Sequence, residues 1–348
     1  MKEIIKKLVT TNSPSGREEK IREAIIELIK DYVDEYKVDP LGNLIAHKSG
    51  NGTKILFDAH MDEIGFVASY IDDSGFVRVE PVGGITPQIL PSTRIIFENG
   101  AIGTIWYEAE ELSKEKESLK NLTFDNIYVD IGATTLEEAL SKISIGEMAN
   151  FHREFVDYGG RLLSKAMDDR IGCSILIEAI KEIKSNHNDL YFVFAVQEEV
   201  GLVGARTACF GVEPQIGIAI DVTGTGFRDT PKGLKRIPMK LGDGPAIKIQ
   251  DFSIVSDKRL NDFMVHVATE QNIHYQYEVL PYGGTDGGVI QTTKEGIPTG
   301  VISIPTRYLH SQSEMVDYID VLNCVKLIKG ITEREIKIWK YELETRFW

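Results

Sequence analysis

Apolar residues along this chain come in short, nearly continuous runs that alternate with stretches of helical spacing. Residues 54–58 (KILFD), 191–196 (YFVFAV), 216–221 (IGIAID) and 298–304 (PTGVISI) read as strands buried on both faces. Residues 170–183, 258–271 and 316–341 repeat with the period of a helix. Near the start, Ser15 and Glu18 fit a capping box, followed by Ile21, Ala24, Ile25, Leu28, Ile29 and Tyr32 at helical spacing. Residues 12–33 therefore predict a surface helix with one buried stripe. This alternation predicts an α/β fold: a mostly parallel mixed sheet with helices on both faces.

Between about residue 69 and residue 161 the texture changes. SGFVRVEPVGG, TRIIFENGAIGTIWYE and NIYVDIGA are short, half-alternating segments with Gly, Asn and Asp at the turns, the pattern of antiparallel strands. A helical stretch at 136–144 interrupts them, and the charged run 108–120 reads as an exposed loop. We expect a small antiparallel β domain at 69–161, inserted into an α/β domain made of 1–68 and 162–348. Its segment 85–90 (ITPQIL) is too apolar for a solvated loop, so burial against neighbouring chains is expected.

Composition narrows the classes. A net charge of −14 repels nucleic acid. No run approaches roughly 18 apolar residues, so no membrane span is expected. The N-terminal MKEIIKKLVTTNSPSG lacks a secretory pattern. Cys173, Cys209 and Cys324 are odd in number and scattered, which argues against a disulfide framework and for a cytoplasmic home. Part of the acidic excess could hold divalent cations.

Four predicted strands run into metal-type side chains. Residues 54–58 lead to His60 and Asp62, 191–196 to Glu198 and Glu199, 216–220 to Asp221, and 298–304 to His310. In open α/β sheets the functional crevice lies beyond the carboxyl ends of the strands, so these residues converge on one rim. Asp168 stands just ahead of a helix N-terminus, which favours an anionic group. Imidazole and carboxylate ligands suit zinc, cobalt or manganese. Two histidines and three carboxylates exceed the needs of one tetrahedral ion with an open position; they suit two ions sharing a carboxylate. His60 and Asp62 are two apart on an extended chain and face the same side, so Asp62 can hold the second ring nitrogen of His60. Adjacent Glu198 and Glu199 diverge, so one can bind metal while the other moves protons. Taken singly, each motif reads as a polar turn; their shared placement at strand ends argues otherwise. The turn 283–288 (GGTDGG) lacks phosphate-loop spacing, and Thr285 either caps a helix or supports the metals. His47, His152, His187, His266 and His274 show no partner pattern and read as structural.

In order along nearly the whole chain, TNSPSGREE, DAHMDEIGF, EPVGG…PQ, KAMDDRIGC, QEEVGLVGA, AIDVT, LGDGPAI, GGTDGG and RYLHSQSEMV resemble the tetrahedral (TET) aminopeptidases, metallopeptidase family forty-two. The resemblance implies His60, Asp168 and Asp221 on one metal, and Asp168, Glu199 and His310 on the other, with Asp168 as the bridge. It implies Glu198 as the general base on a metal-bridging water and Asp62 as the residue orienting His60. It further implies peptide substrates, a dodecameric tetrahedral cage and an assembly role for the insert. Val203 departs from the arginine more usual in the family, and the stretch 223–231 is less typical. The rival readings are a two-metal carboxypeptidase or deacylase on a similar fold, a glucanase, and a non-catalytic assembly module.

Overall fold

The computed structural model describes residues 1–108, 115–225 and 237–336. Its larger sheet has eleven strands. Four lie parallel at the centre, in the order Asp189–Ala195, Lys54–His60, Ile216–Gly224 and Thr299–Arg307. Antiparallel pairing takes over on the flanks, with Leu44–Lys48 and Glu35–Val38 on one side and Glu314–Asp317 and Arg161–Ser164 on the other. The apolar runs seen in the sequence are this parallel centre, and they are apolar throughout because helices cover both faces. Ile55, Phe57 and Ala59 pack with the helices Lys2–Val9, Glu19–Ile29, Met167–Glu182 and Tyr318–Thr332. Leu56 joins the opposite cluster, with the helix Val203–Val212. Asp58 and His60 share Leu56's face by strand parity. The register sets Ala195 beside His60 and Ala219 beside Asp58, so Asp221 stands level with His60 on the rim.

Six further strands, Gly65–Ile71, Val77–Val82, Ile127–Asp130, Ile102–Tyr107, Arg94–Phe97 and Met148–Phe151, close in that order into an antiparallel barrel. Closure removes the exposed edges of a small sheet. The barrel has its own core, around Phe66, Val77, Ile95, Ile105 and Phe151. Along Ile102–Tyr107 the exposure alternates, with Gly103, Ile105 and Tyr107 inside. The helix Leu136–Lys142 starts at Thr135, whose hydroxyl accepts from Glu138 N at 3.2 Å.

Some elements differ from the sequence pattern. The first long helix runs only over Glu19–Ile29 and has no side-chain cap at Glu18. Ser15 instead donates to Asp62 Oδ2 at 2.6 Å, and Glu18 Oε1 accepts from Gly16 N and Gln197 N. The supposed capping pair is thus spent on tertiary contacts. Val316 lies in the strand Glu314–Asp317, and the last described helix is Tyr318–Thr332; the rest of the expected 316–341 helix includes residues outside the described ones. Within the expected loop 108–120, Glu115–Lys120 is helical, and residues 109–114 lie outside the described ones. Leu90, grouped with Ile89 as an apolar loop residue, is fully buried, whereas Ile89 is exposed. No described helix is long and apolar enough to cross a membrane.

A buried ionic knot ties the N-terminal segment to the start of the helix Met167–Glu182. Arg170 is fully buried and donates to the carbonyls of Leu8, Thr11 and Ser13 at 2.9–3.1 Å. Glu63 accepts from Lys165 at 2.7 Å and lies 3.6 Å from Arg170. Removing one member strands buried polar groups, which costs roughly 3–5 kcal/mol. Denaturant unfolding of Arg170→Met should show a loss of about that size; a loss below about 1 kcal/mol would mean the knot contributes little.

Candidate metal centre

The rim gathers all seven of the sequence's site residues. The His60 strand ends there, and the chain then enters Met61, Asp62 and Glu63, all buried. The helix Met167–Glu182 begins irregularly: Asp168 has ψ 108° and Asp169 has ψ 37°, so neither continues the helix geometry. Glu198 and Glu199 follow the strand Asp189–Ala195 through Gln197, which has φ +55°. Asp221 lies inside its strand, and His310 sits in the loop after Thr299–Arg307 with φ +57°.

Asp168 is the centre of this arrangement. One of its oxygens, Oδ1, is 3.0 Å from His60 Nε2; the other, Oδ2, is 3.1 Å from His310 Nε2. His60 Nε2 is also 4.0 Å from Asp221 Oδ1, and His310 Nε2 is 3.5 Å from Glu199 Oε2. A single carboxylate therefore spans the two imidazoles, each with a further carboxylate beside it. On its other nitrogen, His60 Nδ1 lies 3.3 Å from Asp62 Oδ1. His310 Nδ1 faces the carbonyl of Gly84 at 2.8 Å. A carbonyl only accepts, so that nitrogen carries the proton and Nε2 is the one left for a ligand bond.

Asp62 has more to hold than His60. Its oxygens also accept from the backbone amides of Glu198 and Glu199, at 3.1 and 3.3 Å, and from Ser15. Glu314 plays a parallel part at the far end, accepting from Asp168 N at 3.0 Å and His310 N at 2.8 Å.

Electrostatics follow from crowding. Burial, then the neighbouring Asp168, pushes Glu199 up to about 8 and Asp221 up to about 7. Burial raises Glu198 well above the carboxylate range, against the pull of His60. Burial works the other way on the histidines, but Asp168 and Glu199 still lift His310 to about 11, and Glu198, Asp168 and Asp62 lift His60. Asp168 is the exception among the acids: burial opposes its charge, yet the two imidazoles hold it well below the carboxylate range.

This donor set fits divalent cations. Glu199 Oε1 and Asp169 Oδ2 are buried without a hydrogen-bond partner. Orphaned buried carboxylate oxygens are costly, and a bound dication inverts that cost. Among the described residues, donor atoms of His60, Asp168 and Glu199 lie within 4.8 Å of one another, and so do those of His60, Asp169 and Asp221.

Sequence reasoning missed Asp169, Glu314, the Gly84 carbonyl and the Ser15 and Glu18 contacts. It also missed the buried carboxyls of Asp58 and Asp286, where burial and the neighbouring carboxyl raise Asp286 above the carboxylate range. Asp286, not Thr285, is the N-cap position of the short helix Gly287–Gln291, and Thr285 is buried. The only signal for Glu314 was its position inside RYLHSQSEMV.

A cleft of about 870 Å³ opens onto the rim. Glu198 and the ligand candidates line one side, and Val222, Ile237, Leu280 and Leu309 contribute apolar wall. Lys248 also lines it, paired with Asp251 at 2.8 Å and Glu278 at 3.2 Å. Of the atypical stretch 223–231, Thr223 and Gly224 line the cleft, and residues 226–231 lie outside the described ones.

Comparison with known proteins finds matches along nearly the whole chain. It is 48% identical over 328 residues to a protein of Acetivibrio thermocellus named among the aminopeptidases, covering 94% of this chain and 97% of the other. An aminopeptidase from the archaeon Desulfurococcus kamchatkensis superposes with a TM-score of 0.90 at 38% identity, over 95% of this chain and 94% of that one. The TET1 peptidase of Pyrococcus horikoshii, which can assemble into a tetrahedron or a large octahedral shell, superposes with a TM-score of 0.85 at 35% identity, over 95% and 99%. The description of M42 glutamyl aminopeptidases matches residues 42–327, and the chain belongs to that family of metallo-aminopeptidases.

Proposed function

We propose that the chain removes N-terminal residues from peptides with two divalent ions, held by His60, Asp168 and Asp221 on one side and by Asp168, Glu199 and His310 on the other. The observation that carries this is the pair of contacts made by Asp168, one oxygen toward each imidazole. Bound zinc or cobalt, or manganese, would polarise the scissile carbonyl and lower the pKa of the attacking water. Glu198 borders the cleft beside this centre and takes a proton from that water, then returns it to the leaving amine. Asp62 holds the amides of Glu198 and Glu199, so base and ligand keep their separate directions. The carboxylates of the rim also suit a free α-amino group, which restricts cleavage to the chain end.

Two rivals make distinct demands. A glycosidase needs two carboxyl groups facing each other at about 5–9.5 Å across the bond. The adjacent Glu198 and Glu199 do not supply that, and it leaves the histidines without a role. A carboxypeptidase or deacylase would accept N-terminally blocked peptides, which this reading excludes. Three free, buried cysteines suit a reducing, cytoplasmic setting, and the net charge of −14 disfavours nucleic acid.

The insert, expected at 69–161 and folded as a barrel from Gly65 to Phe151, is proposed as an assembly unit, giving a homo-oligomer of the TET kind and, as the specific form, a tetrahedral dodecamer. Support comes from apolar groups on the outside of the barrel: Tyr70, Ile89, Ile102 and Trp106 are all exposed.

Three outcomes test these readings. Elemental analysis of active protein should give two divalent ions per chain, with activity lost on chelation and restored by metal; fully active protein holding one ion would overturn the bridge at Asp168. Glu198→Gln should cut kcat by roughly two to four orders of magnitude with metal content intact, whereas Glu199→Gln should lose an ion; exchanged phenotypes would reverse the two roles. Ile89→Glu combined with Trp106→Glu should shift the protein to smaller species in light scattering. A wild-type chain that stays monomeric at micromolar concentration with full activity would dismiss the assembly role.

A further inference from the structure

Glu314 is buried, two per cent exposed, and the proposed chemistry gives it no part. Its two oxygens serve two segments that are far apart in sequence. Oε1 accepts from His310 N at 2.8 Å, and Oε2 accepts from Asp168 N at 3.0 Å. Neither amide belongs to a regular ladder. His310 has φ +57°, and Asp168 has φ −77° and ψ 108° inside an interrupted helix start. Buried amides without a partner are costly, so at these two positions a side chain has replaced secondary structure as the acceptor.

The consequence is geometric. Asp168 and His310 are 3.1 Å apart at their side chains, but both lie just past the strands Arg161–Ser164 and Thr299–Arg307, which pair with the strand of Glu314. The Glu314 carboxylate extends that pairing to the amides of Asp168 and His310 themselves, while the Gly84 carbonyl fixes the ring of His310 from outside. With both oxygens engaged by amides, Glu314 is directed away from serving as a ligand. We infer that Glu314 is a positioning residue that sets the spacing between Asp168 and His310, and through it the affinity of the ion those two residues share. The inference rests on the reading of Asp168 and His310 as ligands. Outer residues that orient metal ligands typically change affinity by about 10–100-fold.

The arrangement resembles what Asp62 does at the other end of the centre. Asp62 accepts the amides of Glu198 and Glu199; Glu314 accepts those of Asp168 and His310. Asp62, however, also contacts a candidate ligand ring directly, so its removal would mix two effects. Glu314 touches its two ligands only through their backbone, which makes it the cleaner probe.

The experiment compares zinc binding to the metal-free full-length wild-type chain and Glu314→Gln by chelator competition, with the cobalt(II) visible spectrum and the melting temperature of the metal-free proteins. Gln offers one acceptor oxygen and sets an NH2 group against the other amide. One of the two binding steps should lose about 10–100-fold in affinity, and the other should lose less. The cobalt spectrum that develops in the weakened step should change. Excess metal should bring kcat back to within about threefold of wild type, since the base and the other ligands are untouched. Glu314→Asp, one carbon too short to span both amides, should show the same selective loss if Glu314→Gln does not fold. A wild-type chain with two ions and variants with unchanged affinities would overturn the positioning role alone. Equal weakening of both steps together with a lowered metal-free melting temperature would also overturn it, in favour of a general structural role. A wild-type chain that takes up no second ion would overturn the ligand reading, and this inference with it.

Discussion

Too many carboxylates share one low-dielectric rim, and the rest of the structure is arranged around that excess. Asp58, Asp168, Asp169, Glu199, Asp221 and Asp286 converge there around the imidazoles of His60 and His310, with Lys248 nearby acting on Asp221. Isolated buried carboxylates would take up protons or force the site open. Here some of the charge is met by fixed donors: Asp62 is engaged by backbone amides and Asp168 by both histidines. What remains unmet is concentrated on the ligand candidates and the residues under them. The backbone bears the cost of holding them: Ala166, Gln197, Leu202, Tyr308 and His310 all have φ between +54° and +60°. Left-handed conformations in non-glycine residues are uncommon, and these cluster beside the ligand positions. Strain at a functional rim, held in place by a well-packed core, is the expected pattern.

The parallel centre and the antiparallel insert were legible because they rest on periodicity, which is local. Continuous apolar runs mark strands covered on both faces, and the two-residue alternation of segments such as IGTIWY marks a barrel wall. The convergence of His60, Glu198, Glu199, Asp221 and His310 was legible for a related reason: strand ends in an α/β sheet share a rim. Contacts that depend on how distant segments meet were not legible. Ser15 and Glu18 have the spacing of a helix cap, and the pattern alone gives no hint that Asp62 and Gln197 compete for them. Strand register could not reveal Glu314 either, because it works on backbone amides rather than on side chains. Leu90 shows the limit of hydropathy: it looks as sticky as Ile89, but one turn of 3-10 helix sends it into the barrel core.

The barrel and the metal centre are also less separate than the chain order suggests. Gly83 has φ +84°, and a Cβ there would meet Ile64 Cγ2 at 2.7 Å and Glu199 Cβ at 3.2 Å. Only glycine allows the strand end after Val82 to press against a candidate ligand so closely. The next residue, Gly84, supplies the carbonyl that orients His310. One tight turn of the insert thus lies close beside Glu199 and reaches His310 through a hydrogen bond. Both belong to the same proposed ion. The His60–Asp221 half is instead held by the parallel strands, and Asp168 spans the two halves with one oxygen toward each imidazole.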